Sequence, residues 1–145
     1  MIVRDLQPAD LPAVVGLLDQ LGYALEGAEV EARLQQVRQA PGHRVRVAER
    51  EGKVVGLLHV FERPALEKPR EAIVQSLVVD ATVRGSGIGA ALMRDAEGWA
   101  RDRSLVSVAL YTQIGREAAH AFYETIGYAK ANTSHLMRRY LTERH

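Results

Sequence analysis

The sequence VVDATVRGSGIGAAL, residues 78–92, joins a strand pattern to a helix pattern through a glycine-rich loop. The β-branched, apolar run that leads into it, residues 73–79, has the length of a buried strand. After the loop, Ile88, Leu92 and Trp99 recur at the spacing of one helical face. The stretch therefore predicts a strand, a turn and a helix whose first turn contains glycines.

This loop is suited to an anion. Gly87 and Gly89 leave the N–H groups of the first helical turn without covering side chains, and the helix dipole adds positive potential there. Arg84 at the mouth of the loop can add a full charge. The same glycines would also permit only a tight turn and close helix–strand packing, so the loop alone leaves both interpretations open. The order of the glycines does not fit the dinucleotide fingerprint, and no Lys-Ser/Thr pair completes a phosphate-binding P-loop.

Two motifs together indicate a family. The pattern Arg84-x-x-Gly87-x-Gly89 after a strand resembles the acyl-CoA loop of the GCN5-related N-acetyltransferase (GNAT) superfamily. Residues 121–128, AFYETIGY, look like the later FYE-x-x-G-[FY] helix end of that superfamily. The motifs stand in the expected order, and the resemblance covers nearly the whole chain.

The resemblance implies an α+β (mixed α/β) fold. Its sheet would be mixed and mostly antiparallel, splayed after the fourth strand, with about four helices around it. The pattern agrees: antiparallel strands over 44–49 and 54–61 surround a hairpin turn at 50–53, and a strand over 105–110 and a helix over 116–126 follow the loop. We expect a first strand at 2–6, helices at 8–21 and 28–40, and one or two closing strands over 128–140. The length, 145 residues, predicts one domain spanning 1–145.

The resemblance also implies a cofactor site for acetyl-CoA. Backbone groups of Leu77 and Val79 would pair with the pantetheine arm as an added strand does. The family's oxyanion donor is a backbone N–H of the fourth strand, by position that of Val79 or of its neighbour Val78. The pyrophosphate would meet the loop and first helical turn through Arg84, Gly85, Gly87, Ile88, Gly89 and Ala90.

Acyl transfer from a thioester to an amine needs proton transfers at both ends. An alkylammonium of pKa about 10.4 must lose a proton before it attacks, and the thiolate that leaves needs an acid. The resemblance assigns the acid to Tyr123, in the later motif; a core tyrosine at helical spacing with Phe122 and Ile126 is the alternative.

The general base stays open. Many family members carry a glutamate in the fourth strand, where this chain has Ile73 to Ser76. Glu71 could substitute, or could be a solvated charge at the strand end. His59 has a suitable ordinary pKa but could be a sheet-face histidine, and His120 could be a surface residue. Deprotonation through ordered water is the fourth alternative.

The composition excludes several classes of site and partner. Because the chain has no cysteine, disulfides, thiolate metal sites and a cysteinyl acyl-enzyme are ruled out. The net charge of +1 gives no argument for nucleic acid or an anionic membrane as partner. No metal-ligand cluster, membrane-spanning run or signal segment is evident, so we expect a cytoplasmic protein without metal.

We therefore predict an acetyl-CoA-dependent N-acetyltransferase that acts on a primary amine by direct transfer. The acceptor, a small molecule or a protein amine, is left open, as are the acyl-chain preference and the choice between a monomer and a homodimer. The alternative function is a non-catalytic module that binds or senses acyl-CoA, which would keep the glycine loop without needing Tyr123.

Overall fold

A computed structural model describes residues 1–143. Five strands form one sheet in the order β1-β2-β3-β4-β5. The first four are antiparallel to their neighbours, and β5 is parallel to β4. Their bounds are Ile2–Asp5 for β1, His43–Arg50 for β2, Lys53–Arg63 for β3, Glu71–Val79 for β4 and Val108–Leu110 for β5. The predicted mixed, mostly antiparallel sheet is confirmed.

Four α-helices accompany the sheet in residues 1–143, as predicted. They are α1 at Leu11–Leu21, α2 at Gly27–Gln39, α3 at Ile88–Asp102 and α4 at Glu117–Thr125. The chain divides into two compact units, Met1–Tyr111 and Thr112–His145, so the sheet and three helices belong to the first. None of the helices in the described part of the chain is both long and apolar enough to cross a membrane.

Helices α1 and α2 pack on one face of the sheet. Their apolar stripes bury Val14, Leu17 and Val30 against sheet residues that alternate along the strands. The sheet contributes Val47, Leu57 and Val78 to this core. Gly22 ends α1 with a left-handed φ of 112°, which a glycine adopts without steric cost.

Helix α3 packs on the opposite face, where Gly56 of β3 lets it approach closely. A Cβ at Gly56 would lie 2.9 Å from Leu92 Cδ1 and 3.1 Å from Ile88 Cγ2. Two arginines of β2 also hold α3, because Arg44 and Arg46 donate hydrogen bonds of 3.2–3.3 Å to the Asp95 carboxylate. The packing at Gly56 and the hydrogen bonds to Asp95 therefore position α3, whose first turn follows the glycine loop.

Strand β4 contains one extra residue, Gln75. Val74 lies opposite Val60 of β3, and Ser76 lies opposite the preceding residue, His59. β4 therefore advances by two residues while β3 moves by one, which defines a β-bulge. The exposed side chain of Gln75 is consistent with its exclusion from the regular ladder.

The bulge reverses which backbone groups of β4 face β3. Before it, the Ala72 N–H donates to the Ser107 carbonyl on the β5 side at 3.0 Å. After it, the Asp80 N–H donates to the Val55 carbonyl on the β3 side at 2.8 Å. In a regular strand residues an even number apart point the same way, so the extra residue explains the change.

The sheet opens after the first half of β4, as predicted. β5 pairs with β4 only from Ala72 to Val74. In residues 1–143 no strand pairs with Gln75–Val79 on that side. β4 therefore changes from a central strand to an edge strand along its own length.

β5 is shorter than the strand predicted over 105–110. It begins at Val108, and Leu105, at the start of the predicted range, closes helix α3 instead. The Leu105 N–H donates to the Ala100 carbonyl at 2.9 Å, and Leu105 is buried. A helix-ending bond of this kind holds Leu105 out of the sheet ladder.

The second unit contains α4 and a long segment without regular structure. The prediction of one or two closing strands over 128–140 is wrong, because residues 126–143 contain no strand. The apolar residues on which it depended, including Leu136 and Met137, are exposed. A strand is stabilised by its pairing and packing partners, and sequence preference alone does not supply them.

The close approach at Gly56 predicts that two glycine-to-alanine substitutions change the free energy of unfolding in opposite directions. Gly56→Ala should lower the free energy of unfolding by about 1–3 kcal/mol, because Leu92 and Ile88 must move away. Gly98→Ala is the matched control, since Gly98 lies inside α3 with open space around it and should gain roughly 0.5–1 kcal/mol. Urea unfolding of both variants measures this. Equal stability of the two variants would contradict the packing described.

Candidate functional site

The glycine loop begins with a side-chain cap at the end of β4. The Asp80 carboxylate accepts a hydrogen bond of 3.1 Å from the Thr82 N–H, which starts a short 3₁₀ turn over Ala81–Val83. This backbone hydrogen bond is the main reason why the pKa of Asp80 lies below its ordinary value. The chain therefore leaves the strand in a defined direction.

Gln20 of α1 also holds this turn. Its Oε1 accepts a hydrogen bond of 2.8 Å from the Ala81 N–H, and its Nε2 lies 3.5 Å from Asp80 Oδ1. One side-chain amide thus contacts both a donor and an acceptor at the start of the loop. Sequence analysis missed Gln20, because an exposed glutamine near a helix end carries no signal of a contact 60 residues away.

The loop itself leaves space beside the backbone. Gly85 and Gly87 have left-handed φ values of 81° and 85°, and a Cβ at either position would meet nothing within 4 Å. Gly87 caps α3 without a side-chain hydrogen bond, and the first helical bond runs from the Ala91 N–H to the Gly87 carbonyl. The N–H groups of residues 88–90 therefore lie in the first turn, where a helix has no carbonyl partner for them.

Arg84 stands between the strand end and the loop. Its Nε donates a hydrogen bond of 3.2 Å to the Val79 carbonyl, and the residue is exposed. This contact uses one of the five N–H donors of the guanidinium and leaves the forked end for another partner. A negative group at the loop would meet both this charge and the positive end of the α3 dipole.

The open edge of β4 presents the backbone of two predicted site residues. Val79 lies opposite Gly56 and Leu77 lies opposite Leu58. Because the Asp80 N–H bonds β3, the alternation turns the N–H groups of Leu77 and Val79 to the open edge. The same alternation turns the Val78 N–H towards β3, and the Val78 side chain is buried in the α1/α2 core.

Tyr123 lies on α4 in the second unit. Its ring contacts Phe122 edge to face, with ring centres 5.1 Å apart, and Tyr128 at 6.1 Å. Burial raises the pKa of the Tyr123 phenol above its ordinary value, and the nearby Arg116 charge opposes that shift. The phenol therefore holds its proton throughout the neutral pH range and can donate it.

Two of the three candidate bases have structural partners. Glu71 binds Arg63 of β3 at 3.0 Å and accepts a hydrogen bond of 2.8 Å from the Ser107 hydroxyl. One carboxylate oxygen of Glu71 therefore contacts β3, and the other contacts Ser107 directly before β5. Sequence analysis did not predict these contacts. His120 of the second unit has its Nε2 3.0 Å from the Gln113 carbonyl, so it is tied to its own loop.

His59, the third candidate, is paired with another histidine. Its Nε2 lies 2.9 Å from Nδ1 of His43 on β2. Burial, followed by the charge of His43, lowers the pKa of His59 to about 4. His59 is therefore a neutral imidazole at physiological pH, a state that can accept a proton. Nothing in the spacing of the sequence indicated that residues 43 and 59 meet.

Comparisons with known proteins show which proteins this chain is similar to. A curated relative, the glucosamine 6-phosphate N-acetyltransferase of Trypanosoma brucei brucei, is 29% identical over 132 residues, covering 87% of each chain. The crystal structure of an acetyltransferase of Trypanosoma brucei has a TM-score of 0.80 at 26% identity, covering 95% of this chain and 99% of that one. An aminoglycoside N-acetyltransferase in complex with CoA shares the fold, with a TM-score of 0.85 at 15% identity over 95% of this chain and 93% of its own.

The family match spans most of the chain and both motifs. The model described as Acetyltransferase (GNAT) family matches residues 13–128, which include the glycine loop and the helix of Tyr123. The resemblance inferred from those two motifs is confirmed, and so is the fold that it implied. The chain belongs to the GNAT acetyltransferase family.

Proposed function

We propose that this protein transfers an acetyl group from acetyl-CoA directly to the primary amine of an acceptor. The observation that carries the proposal is the open edge of β4 directly before the glycine loop. An extended pantetheine arm can complete that edge while its pyrophosphate lies at a helix N-terminus. Family membership and a relative of this fold that binds CoA support the same ligand.

The pyrophosphate site is proposed at the loop and the first turn of α3. The open space beside Gly85 and Gly87 admits phosphate oxygens close to the backbone. Arg84 and the helix dipole supply positive potential. The donors are the backbone N–H groups of Gly85, Gly87, Ile88, Gly89 and Ala90.

The thioester would lie along β4. Leu77 and Val79 turn their N–H groups to the edge, so both can bind a carbonyl oxygen. We keep Val79 as the proposed oxyanion donor, and Leu77 as its partner along the pantetheine arm. Val78, whose N–H is turned to β3, supports the site by anchoring the strand in the core and is not the oxyanion donor.

Tyr123 is the proposed acid. A protonated phenol can hydrogen-bond the thioester sulfur and protonate the thiolate as it leaves. Its raised pKa keeps it in the protonated form that this role needs. Because the chain has no cysteine, the acetyl group does not pass through a protein thiol, which favours direct attack by the amine.

The proposal also includes the class of acceptor amine and the location of the protein in the cell. Amino sugars are the first acceptors to test, since a curated relative acts on glucosamine 6-phosphate. Amino acids and peptide amines complete the panel, with release of free thiol as the signal. We also propose that the chain acts as one cytoplasmic domain, because the family match runs through both units. A silent acyl-CoA binder, the alternative function, would release no thiol with any amine.

The proposed pyrophosphate site can be tested by adding a negative side chain and comparing it with a neutral side chain of the same size. Gly89→Asp places a carboxylate in the first turn of α3, where it suits the helix dipole but repels a pyrophosphate. An added charge at contact distance costs roughly 1–4 kcal/mol, so CoA affinity should fall about tenfold or more. Titration calorimetry measures this, with neutral, isosteric Gly89→Asn as the control. Undiminished CoA affinity in both variants would contradict the anion site.

Gln20 should act on the same site from a distance. Gln20→Leu removes the 2.8 Å hydrogen bond to Ala81, worth about 0.5–1.5 kcal/mol, and the longer contact of 3.5 Å with Asp80. We expect the Kd for CoA to rise roughly 2- to 12-fold, with little change in kcat at saturation. Gln35→Leu on α2, also an exposed helical glutamine, is the control. If both variants bind CoA alike, Gln20 does not position the loop.

Tyr123→Phe should affect turnover and not coenzyme binding. The ring and its packing stay, but the proton donor is lost, so we expect kcat to fall about 10- to 100-fold. In the parent, activity that needs the protonated phenol declines only as pH rises through its raised pKa, above the ordinary value of 10.0. Steady-state kinetics across pH, with Tyr111→Phe at an exposed tyrosine as control, tests this. A Phe variant with parental kcat would make Tyr123 a packing residue.

A further inference from the structure

Three polar side chains form a row across the α1/α2 face of the sheet. His43 lies on β2, His59 on β3, and Ser76 on β4 directly opposite His59. Two residues further along the strands, Leu57 and Val78 face each other in the buried core of the same face. The row thus lies where the apolar core ends, and it runs from inside the sheet to the open edge of β4.

The two histidines are joined as a pair able to pass a proton. The His43 Nδ1 to His59 Nε2 distance of 2.9 Å means that one of these nitrogens donates and the other accepts. The His43 ring also stacks on Phe61, with ring centres 5.0 Å apart and planes 11° apart, which fixes its orientation. The remaining nitrogens, Nδ1 of His59 and Nε2 of His43, are the two ends of this pair, and both residues are partly accessible to water.

Three charged groups near the pair bind other partners. On the same face, beyond Phe61, Arg63 and Glu71 bind each other at 3.0 Å. Arg38 of α2 donates a hydrogen bond of 2.6 Å to the Leu6 carbonyl. The hydrogen bond between the two rings does not involve a carboxylate, and burial, followed by the charge of His43, lowers the pKa of His59 to about 4.

The open edge determines the direction of attack. A carbonyl bonded to an N–H of β4 lies close to the plane of the sheet, so an amine must approach from one sheet face. α3 packs on one of those faces at Gly56, opposite Val79. α1 and α2 pack on the other over Leu57 and Val78, two residues along from His59 and Ser76. The other face carries Ser76 and His59 beside Leu77. An amine that approaches from that face meets the polar row.

We propose that His59 and His43 form a proton relay for the acceptor amine, which enters at Ser76. This inference rests on the proposed function. The amine nitrogen bonds the carbonyl carbon and becomes positively charged; it gives one proton, through the Ser76 hydroxyl or a water, to Nδ1 of His59. Nε2 of His59 passes its own proton to Nδ1 of His43, and Nε2 of His43 releases one to solvent. The carbon–sulfur bond then breaks, and the thiolate takes a proton from the acid proposed above.

The test uses an isosteric substitution and its pH profile. His59→Gln keeps a hydrogen-bond donor near Nε2 but cannot carry a proton. We expect kcat/KM for the best amine to fall about 10- to 100-fold, with CoA affinity and Tm unchanged. The deficit should shrink as pH rises from about 6 to 9, because the increasing hydroxide concentration lets solvent take the proton in place of the relay. In His59→Ala, added imidazole should restore part of the rate.

The outcomes separate the relay from the proposed function. If the parent turns over and His59→Gln follows the parental pH profile, the relay is wrong and the acetyltransferase stands. A deficit that is the same at every pH, without imidazole rescue, also overturns the relay and makes the pair structural. A parent that binds CoA but acetylates no amine of the panel overturns both proposals.

Discussion

The half-paired strand β4 is the constraint on which this molecule depends. A buried strand normally satisfies its backbone on both sides, and an unpaired edge invites another strand. On its outer side β4 pairs with β5 only as far as Val74. The bulge at Gln75 then turns the backbone N–H groups of Leu77 and Val79 to the side that stays open. An extended ligand can complete the ladder there. The departure from regular sheet geometry therefore creates the open edge at which we propose that acetyl-CoA binds.

The elements around β4 hold that edge and the loop in one arrangement. α3 is held against β3 at Gly56 and against β2 through Asp95, so its N-terminus keeps a defined position. On the other face, Gln20 of α1 contacts the first turn after β4. The proposed anion site is thus supported from both faces of the sheet, although its proposed donors are backbone N–H groups. This explains why glycines, which contribute no functional group, dominate the loop.

Sequence reasoning succeeded where local patterns decide the structure. The strand–loop–helix of residues 73–92 and the hairpin at Glu51 and Gly52, which both have positive φ values, follow from periodicity and turn chemistry. It failed where a distant partner decides. The partners of Glu71 lie far from it in sequence, and the strands expected over 128–140 lack pairing partners. The glycine loop was predicted as a strand-to-helix turn, but the contacts of Gln20 and the pairing of His43 with His59 were not predicted.

Two ionisable groups of the proposed reaction are neutral at physiological pH. Burial raises the pKa of the Tyr123 phenol and lowers that of the His59 imidazole, and both shifts favour the neutral form. In the proposed function the phenol donates a proton and the imidazole accepts one, so each group starts in the form that its step needs, although each shift also makes it the weaker acid or base. Glu71, the carboxylate of β4, instead binds Arg63 of β3 and the Ser107 hydroxyl directly before β5, so both of its oxygens are engaged within the sheet and we propose no proton transfer through it.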